Sequence, residues 1–96
     1  MIKILVLGTY REWGGYLDKL KRANPDDWKY NQMSRRFETS HTTYWFISIG
    51  SQYEDGIEYK LMGTEYHDII YLESCGKGLT MREYQYAETR KRLQVC

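Results

Sequence analysis

Residues 2–23 read IKILVLGTYREWGGYLDKLKRA, and this stretch determines the fold. Its first part, Ile2 to Leu7, is nearly continuous and apolar, which is typical of a strand covered on both faces in a parallel sheet. Gly8 ends the strand, and Thr9 and Glu12 form a T-x-x-E capping box, which predicts the start of a helix. Apolar side chains then recur at helical spacing as far as Ala23. The stretch therefore predicts a strand followed directly by an amphipathic helix.

Two adjacent glycines interrupt the predicted helix. Gly14 and Gly15 each cost about 1 kcal/mol relative to alanine inside a helix. We expect tertiary packing to offset that cost.

The rest of the chain repeats the strand and capping-box pattern around a hairpin. Residues 37–39 and 42–49 are predicted strands joined at Ser40-His41. Residues 67–72 predict a second buried strand, residues 73–78 a flexible loop, and Thr80 with Glu83 a capping box that opens a helix to about Leu93. Residues 50–56 are a predicted loop, and residues 57–63 are ambiguous. The predicted fold class is α/β, a small mixed β-sheet of about four strands including the hairpin, with two main α-helices in a single domain.

Composition excludes several classes of protein. The chain has 96 residues, which allows one domain, and its net charge is +1 from 14 basic and 13 acidic residues. This balance lacks the basic excess of a dedicated nucleic-acid binder. Cys75 and Cys96 form neither a disulfide framework nor a metal-type spacing, and no apolar run is long enough for a membrane span. We expect a cytoplasmic protein without a cofactor.

Three segments resemble the ATPase domain of the phage terminase large subunit, the motor that packages DNA into capsids. Residues 2–23 resemble the strand and helix that follow the phosphate-binding loop, and residues 25–55 resemble the next hairpin. Residues 60–93 resemble the strand that carries the Walker B acids and the helix after it. This third segment is the most specific, and its similar positions are Gly63, Glu65, Tyr66, Ile69, Ile70, Leu79, Thr80, Tyr86 and Arg90. The resemblance implies one terminase-ATPase-like domain over residues 1–96, in the cytoplasm of an infected host cell.

The chain departs from that family at the catalytic positions. The phosphate-binding text G-x-x-x-x-G-K-[ST] does not occur in the sequence. Glu73 and Ser74 stand where the resemblance places the Walker B acidic pair, and a serine does not act as a base near neutral pH. We therefore expect a relic Walker B site and no enzymatic activity. A residual metal contact at Glu73 is the alternative to a solvated relic.

Small clusters give weaker signals of binding. Gly76, Lys77 and Gly78 lie between a predicted strand and a predicted helix, where a phosphate can bind, although a plain loop has the same composition. His41 and His67 with the two cysteines match no zinc-ligand spacing. The basic clusters at 35–36 and 90–92 favour either phosphate contacts with nucleic acid or a solvated charged surface.

The second hairpin strand carries aromatic residues on both faces. Trp45 and Ile47 alternate with Tyr44 and Phe46, so one face is apolar and the other is partly aromatic. If Tyr44 and Phe46 are uncovered, they form an interaction surface together with Arg35 and Arg36. The alternative is a sheet covered on both faces by the two helices.

These features favour a non-catalytic binding protein of phage origin. Such a protein acts through protein–protein contacts, for example as an inhibitor or decoy that antagonises a host defence component, or through contact with a second copy of itself. The alternative is a fragment or regulatory part of a terminase packaging motor that needs another chain for ATP hydrolysis. A free-standing enzyme is the third and least favoured class.

Overall fold

The computed structural model describes residues 1–49, 60–61 and 63–91. Within them the chain is a single-domain α/β fold with a five-stranded mixed sheet, so the predicted fold class is confirmed. The predicted loop at 50–56 and most of the ambiguous segment at 57–63 lie outside the described residues. The strands are β1 (Ile2–Gly8), β2 (Lys29–Asn31), β3 (Arg36–Glu38), β4 (Thr42–Ser48) and β5 (Asp68–Tyr71). Three helices have described bounds, α1 (Tyr10–Ala23), α2 (Cys75–Gly78) and α3 (Met81–Thr89). Lys60 and Leu61 are also helical.

The sheet places β1 at the centre of its parallel part. The strand order is β2-β3-β4-β1-β5, and β1 runs parallel to both β4 and β5. β2, β3 and β4 pair antiparallel, so the predicted hairpin is confirmed. β1 has a neighbouring strand at each edge, and both of its faces are covered. The residues from Leu5 to Leu7 are therefore fully buried.

Each face of the sheet carries its own core. On one face α1 packs Trp13 and Leu20 against Val6, Phe37 and Phe46. The opposite face is covered by the segment that leads to β5 and by α2 and α3. Its buried residues are Leu5, Leu7, Ile47, Ile49, Leu61, Tyr66, Ile69, Cys75 and Ala87. The sheet is therefore covered on both faces along β1 and the second half of β4.

The two predicted capping boxes both form. The Thr9 hydroxyl accepts from the Glu12 N–H and the Glu12 carboxylate accepts from the Thr9 N–H at 2.9 Å, which starts α1. Thr80 and Glu83 make the same reciprocal bonds at the start of α3. That helix ends at Thr89, before the predicted end at Leu93, which lies outside the described residues.

The two helical glycines lie on the open side of α1. A Cβ atom at Gly14 or Gly15 would meet nothing within 4 Å, and both residues are exposed. Close packing therefore does not offset their helix cost, which α1 bears through the burial of its other face.

Two parts of the fold differ from the sequence-based prediction. β2 was not predicted, and its three residues are held by pairing with β3, Tyr30 opposite Phe37. The predicted flexible loop at 73–78 contains the single helical turn α2. This turn is fixed by packing, because Cys75 is buried and a Cβ at Gly78 would lie 2.8 Å from Ile49 Cδ1.

None of the helices in the described ranges is both long and apolar enough to span a membrane.

Candidate binding surface

The predicted relic pair lies directly after β5, but its serine has a structural partner. The Ser74 N–H donates to Glu12 Oε2 at 2.9 Å, and the Ser74 hydroxyl donates to Glu12 Oε1. The same Oε1 accepts from the Thr9 N–H at 2.9 Å. A single carboxylate therefore joins the start of α1 to the loop after β5, across 62 positions of sequence.

These bonds control the charge of Glu12. The hydrogen bond from the Ser74 side chain, followed by the bond from the Thr9 N–H, lowers the pKa of Glu12 to about 2. The carboxylate is therefore ionised at neutral pH and accepts the hydrogen bonds of Thr9 and Ser74 at this edge of the sheet. Glu73 is exposed beside it. Whether Glu73 and Ser74 are a relic of a Walker B site stays a prediction.

The backbone amides of the predicted anion site are already engaged. The Gly76 N–H donates to the Glu73 carbonyl, and the Lys77 and Gly78 N–H groups donate to the Ser74 carbonyl, at 2.8–3.2 Å. An anion cradle needs N–H groups that point at the ligand without another acceptor. The helical turn α2 therefore removes the amide donors on which that prediction depended.

The proposed exposure of Tyr44 and Phe46 is wrong for Phe46, which is 2% exposed. Trp13 of α1 stacks on Phe46 with ring centroids 5.0 Å apart. Tyr44 is half-buried, with its ring 6.2 Å from that of Phe37. Because α1 covers this face, the Phe46 side of β4 is core, as the covered-sheet alternative expected for this face.

The opposite face of β4 carries an aromatic group beside two cations. Trp45 is half-buried, the Lys3 ammonium lies 4.3 Å from its ring centroid, and the Arg36 guanidinium lies 4.8 Å from it. Such contacts each contribute about 0.5–1 kcal/mol at exposed sites. We call this group, with Thr43 and Glu38 beside it on the same sheet face, the Trp45 surface.

The charged side chains of the Trp45 surface are close enough to affect one another. Burial and the positive charge of Arg36 lower the pKa of Lys3, and the negative charge of Glu65 partly opposes the shift. The Lys3 N–H also donates to His67 Nδ1 at 3.0 Å. The surface is therefore a mixed-charge patch with an aromatic centre, and sequence alternation alone indicated Trp45 only as a core residue.

The two predicted arginines separate to opposite sides of the sheet. Arg35 lies over the ring of Tyr10, 4.3 Å from its centroid, on the α1 side, whereas Arg36 joins Trp45. Of the second basic cluster, Lys91 pairs with Glu88 and Asp68, and Arg92 lies outside the described residues. The predicted interaction surface is thus divided, and only Arg36 belongs to the Trp45 surface.

The histidine and cysteine side chains are dispersed. The Cys75 thiol donates to the Leu7 carbonyl at 3.2 Å, and burial raises its pKa to about 11, so it is a core group. Cys96 lies outside the described residues. Across the part of the chain that the structure describes, no three His, Cys, Asp or Glu side chains are grouped so as to hold a metal ion.

Comparison with protein-family models, with curated proteins and with solved structures found no match for this chain.

Proposed function

We propose that this protein acts by binding a protein partner through the Trp45 surface, and not by catalysis. The observation that carries the proposal is the position of Trp45, which packs on the core, stays partly exposed and lies beside Lys3 and Arg36. Tryptophan and arginine are the residue types most enriched among those that dominate binding energy at protein interfaces. A rigid aromatic group that already has its cationic neighbours loses little conformational entropy when a partner covers it.

The charge pattern supports a protein partner over a nucleic acid. Glu38 lies on the same face as Arg36, and Glu65 is close enough to Lys3 to affect its pKa. Carboxylates within a cationic patch repel a phosphate backbone, whereas alternating charges provide complementary pairs to another protein.

The Glu12–Ser74 contact supports a non-catalytic role. The only hydroxyl at the predicted Walker B position donates to a carboxylate of the same chain. The resemblance to a terminase ATPase supports two partner classes, a host defence component and a terminase subunit. In this proposal the protein acts as an inhibitor or decoy in the host cytoplasm.

Affinity capture with matched charge variants tests the proposal. Arg36→Glu reverses one charge within the Trp45 surface, and Lys19→Glu reverses one exposed charge on α1, away from it. We expect the wild type and Lys19→Glu to retain the same set of proteins from infected-cell extract and Arg36→Glu to lose it. Arg36→Glu stays folded and loses only about 0.5–1 kcal/mol, the contribution of its contact with the Trp45 ring. Nuclease treatment leaves the capture intact. Equal capture by both variants, or loss of capture after nuclease treatment, contradicts the proposal.

A second candidate is a regulatory part of a packaging motor. It is supported by the pairing of β1 and β5, which lie in the first and third of the three segments that resemble the motor. The two strands are parallel, with Leu5 opposite Ile69. Mixing the protein with a terminase chain that supplies the phosphate-binding loop tests this role. A gain of ATP turnover in the mixture favours it, and unchanged turnover counts against it.

A further inference from the structure

β4 extends further than the strand beside it and leaves a notch at the edge of the sheet. The last ladder pair of β3 and β4 joins Arg36 and Trp45, and the Phe46 N–H still donates to the Arg35 carbonyl at 3.0 Å. Beyond this point the chain of β3 turns away, while β4 continues to Ser48. Backbone groups alternate between the two edges of a strand, so the amide of Ser48 points to the same side as that of Phe46.

Two cations reach this notch, one from each side of β4 along the chain. The Lys60 ammonium donates to the Ser48 carbonyl and lies 3.3 Å from the Ser48 hydroxyl. Its neighbour Leu61 belongs to the core on the α3 side. The Arg35 guanidinium approaches from the α1 side, where it lies over Tyr10.

The notch is a cavity of about 230 Å³ with a cationic lining. Among the residues that the structure describes, its lining contains no carboxylate; it consists of Ser34, Arg35, Trp45, Phe46, Ile47, Ser48 and Lys60. Burial and the charge of Arg35 both lower the pKa of Lys60, which shows that the two cations are close enough to repel each other. An anion between them would replace this repulsion by two attractive contacts.

The backbone holds one of the cations in an uncommon conformation. Arg35 has a φ of 54°, in the left-handed region that few residues other than glycine adopt. Such a conformation persists only where the surrounding structure fixes it, and here the Asn31 side chain accepts from the Ser34 N–H and the Arg35 carbonyl accepts from Phe46. These bonds fix the backbone at Arg35 beside the notch, and the contact with the Tyr10 ring holds its guanidinium on the α1 side.

We propose that the notch between Arg35, Lys60 and Ser48 binds a single small oxyanion, a carboxylate or a phosphoryl group. The arginine fork and the lysine supply charge-assisted donors, and the serine hydroxyl supplies a neutral one. A volume of about 230 Å³ accommodates one such group, since pockets for larger organic ligands measure about 300–1,000 Å³. The notch shares Trp45 with the proposed protein-binding surface, but the anion site does not depend on a protein partner.

Titration of the full chain with small anions tests the site. Two-dimensional ¹H–¹⁵N spectra are recorded with sodium phosphate, with sodium acetate and with sodium chloride at equal ionic strength. We expect saturable shifts of the Ser48 and Arg35 amides with phosphate or acetate and none with chloride. Saturation by acetate and phosphate alike identifies any oxyanion as the ligand class, and saturation by phosphate alone identifies a phosphoryl group.

Matched variants separate the site from nonspecific charge. Lys60→Gln removes one cation, and Arg35→Asn removes the other with a residue that tolerates a positive φ. Each variant weakens binding by about tenfold or more, the effect of one lost charge-assisted hydrogen bond, whereas Lys19→Gln on α1 leaves it unchanged. If one notch variant does not fold, the other gives the result. Absence of saturable shifts with either oxyanion, or equal affinity in wild type and a folded notch variant, overturns the proposal.

Discussion

Replacing Glu12 by glutamine tests the contact between the start of α1 and the loop after β5. In the wild type, Oε1 accepts from Thr9 and from the Ser74 hydroxyl, while Oε2 accepts from the Ser74 N–H at 2.9 Å. Glutamine keeps one accepting oxygen and can still complete a capping box, but it loses the charge and the second acceptor. A hydrogen bond to a charged group contributes about 1.5–3 kcal/mol. Since Glu12 is half-exposed and solvent screens it, we expect a loss of about 1–2 kcal/mol at pH 7.

The loss has a characteristic dependence on pH. The pKa of Glu12 is about 2 in the folded chain against 4.5 for the ordinary group, so the ionised carboxylate favours the folded state. Its contribution is complete above about pH 5, shrinks as the pH falls through 4.5, and is gone near pH 2. The stability difference between wild type and Glu12→Gln therefore narrows over that interval. Urea denaturation at a series of pH values measures the difference directly.

Glu83→Gln provides the control for this experiment. Glu83 occupies the same position in the capping box of α3, and its substitution leaves the Glu12–Ser74 contact untouched. At pH 7 the control keeps its capping box and loses less stability than Glu12→Gln. Parallel pH profiles for wild type and Glu12→Gln, or equal losses in the two glutamine variants, would refute the assigned role of Glu12.

Further substitutions test the core, each by urea denaturation. Tyr66→Phe removes a buried 2.7 Å hydrogen bond to a backbone carbonyl and costs about 1–2 kcal/mol. Tyr71→Phe is neutral or stabilising, because its buried hydroxyl has no hydrogen-bond partner among the described residues. Burial and then the negative charge of Glu88 raise the pKa of Tyr71, so the hydroxyl stays neutral. Equal losses in both would contradict this assignment. Gly8→Ala destabilises, since its Cβ would lie 2.7–2.8 Å from two side chains, whereas Gly15→Ala stabilises by about 0.5–1 kcal/mol. A gain of stability in Gly8→Ala, or a loss in Gly15→Ala, would refute the surroundings described for that glycine. Phe46→Ala lowers the free energy of unfolding by about 3–5 kcal/mol because the ring is part of the core. A loss below about 1 kcal/mol would show that the ring is exposed.

Local features of the fold were predictable from the sequence. The bonds of a capping box join residues three positions apart, so Thr9 with Glu12 and Thr80 with Glu83 predicted both helix starts correctly. The apolar run of β1 likewise indicated a strand covered on both faces. β2 was missed because three residues carry no periodic pattern, and its structure depends on pairing with β3.

The candidate sites depend on contacts that the sequence does not encode locally. β4 has large apolar residues on both faces. The alternation of side chains therefore predicts that Phe46 and Trp45 lie on opposite faces, but it does not predict which face α1 covers. The Glu12–Ser74 contact spans 62 positions, and the notch brings Lys60 to Ser48 and Arg35 through the order of the strands. These groups meet only in the folded chain, through the pairing of the strands and the packing of the helices and turns on them. The sequence nevertheless named Arg35, Arg36 and Ser74 as residues of interest.

A steady-state assay of ATP hydrolysis by the purified protein with Mg²⁺ tests the non-catalytic account most directly. Wild type and Glu73→Gln are compared with protein-free buffer over the same period. With Ser74 bonded to Glu12, we expect both proteins to hydrolyse ATP no faster than the buffer does. Turnover by the wild type above that background, lost in Glu73→Gln, would contradict the claim that this chain works by contact alone.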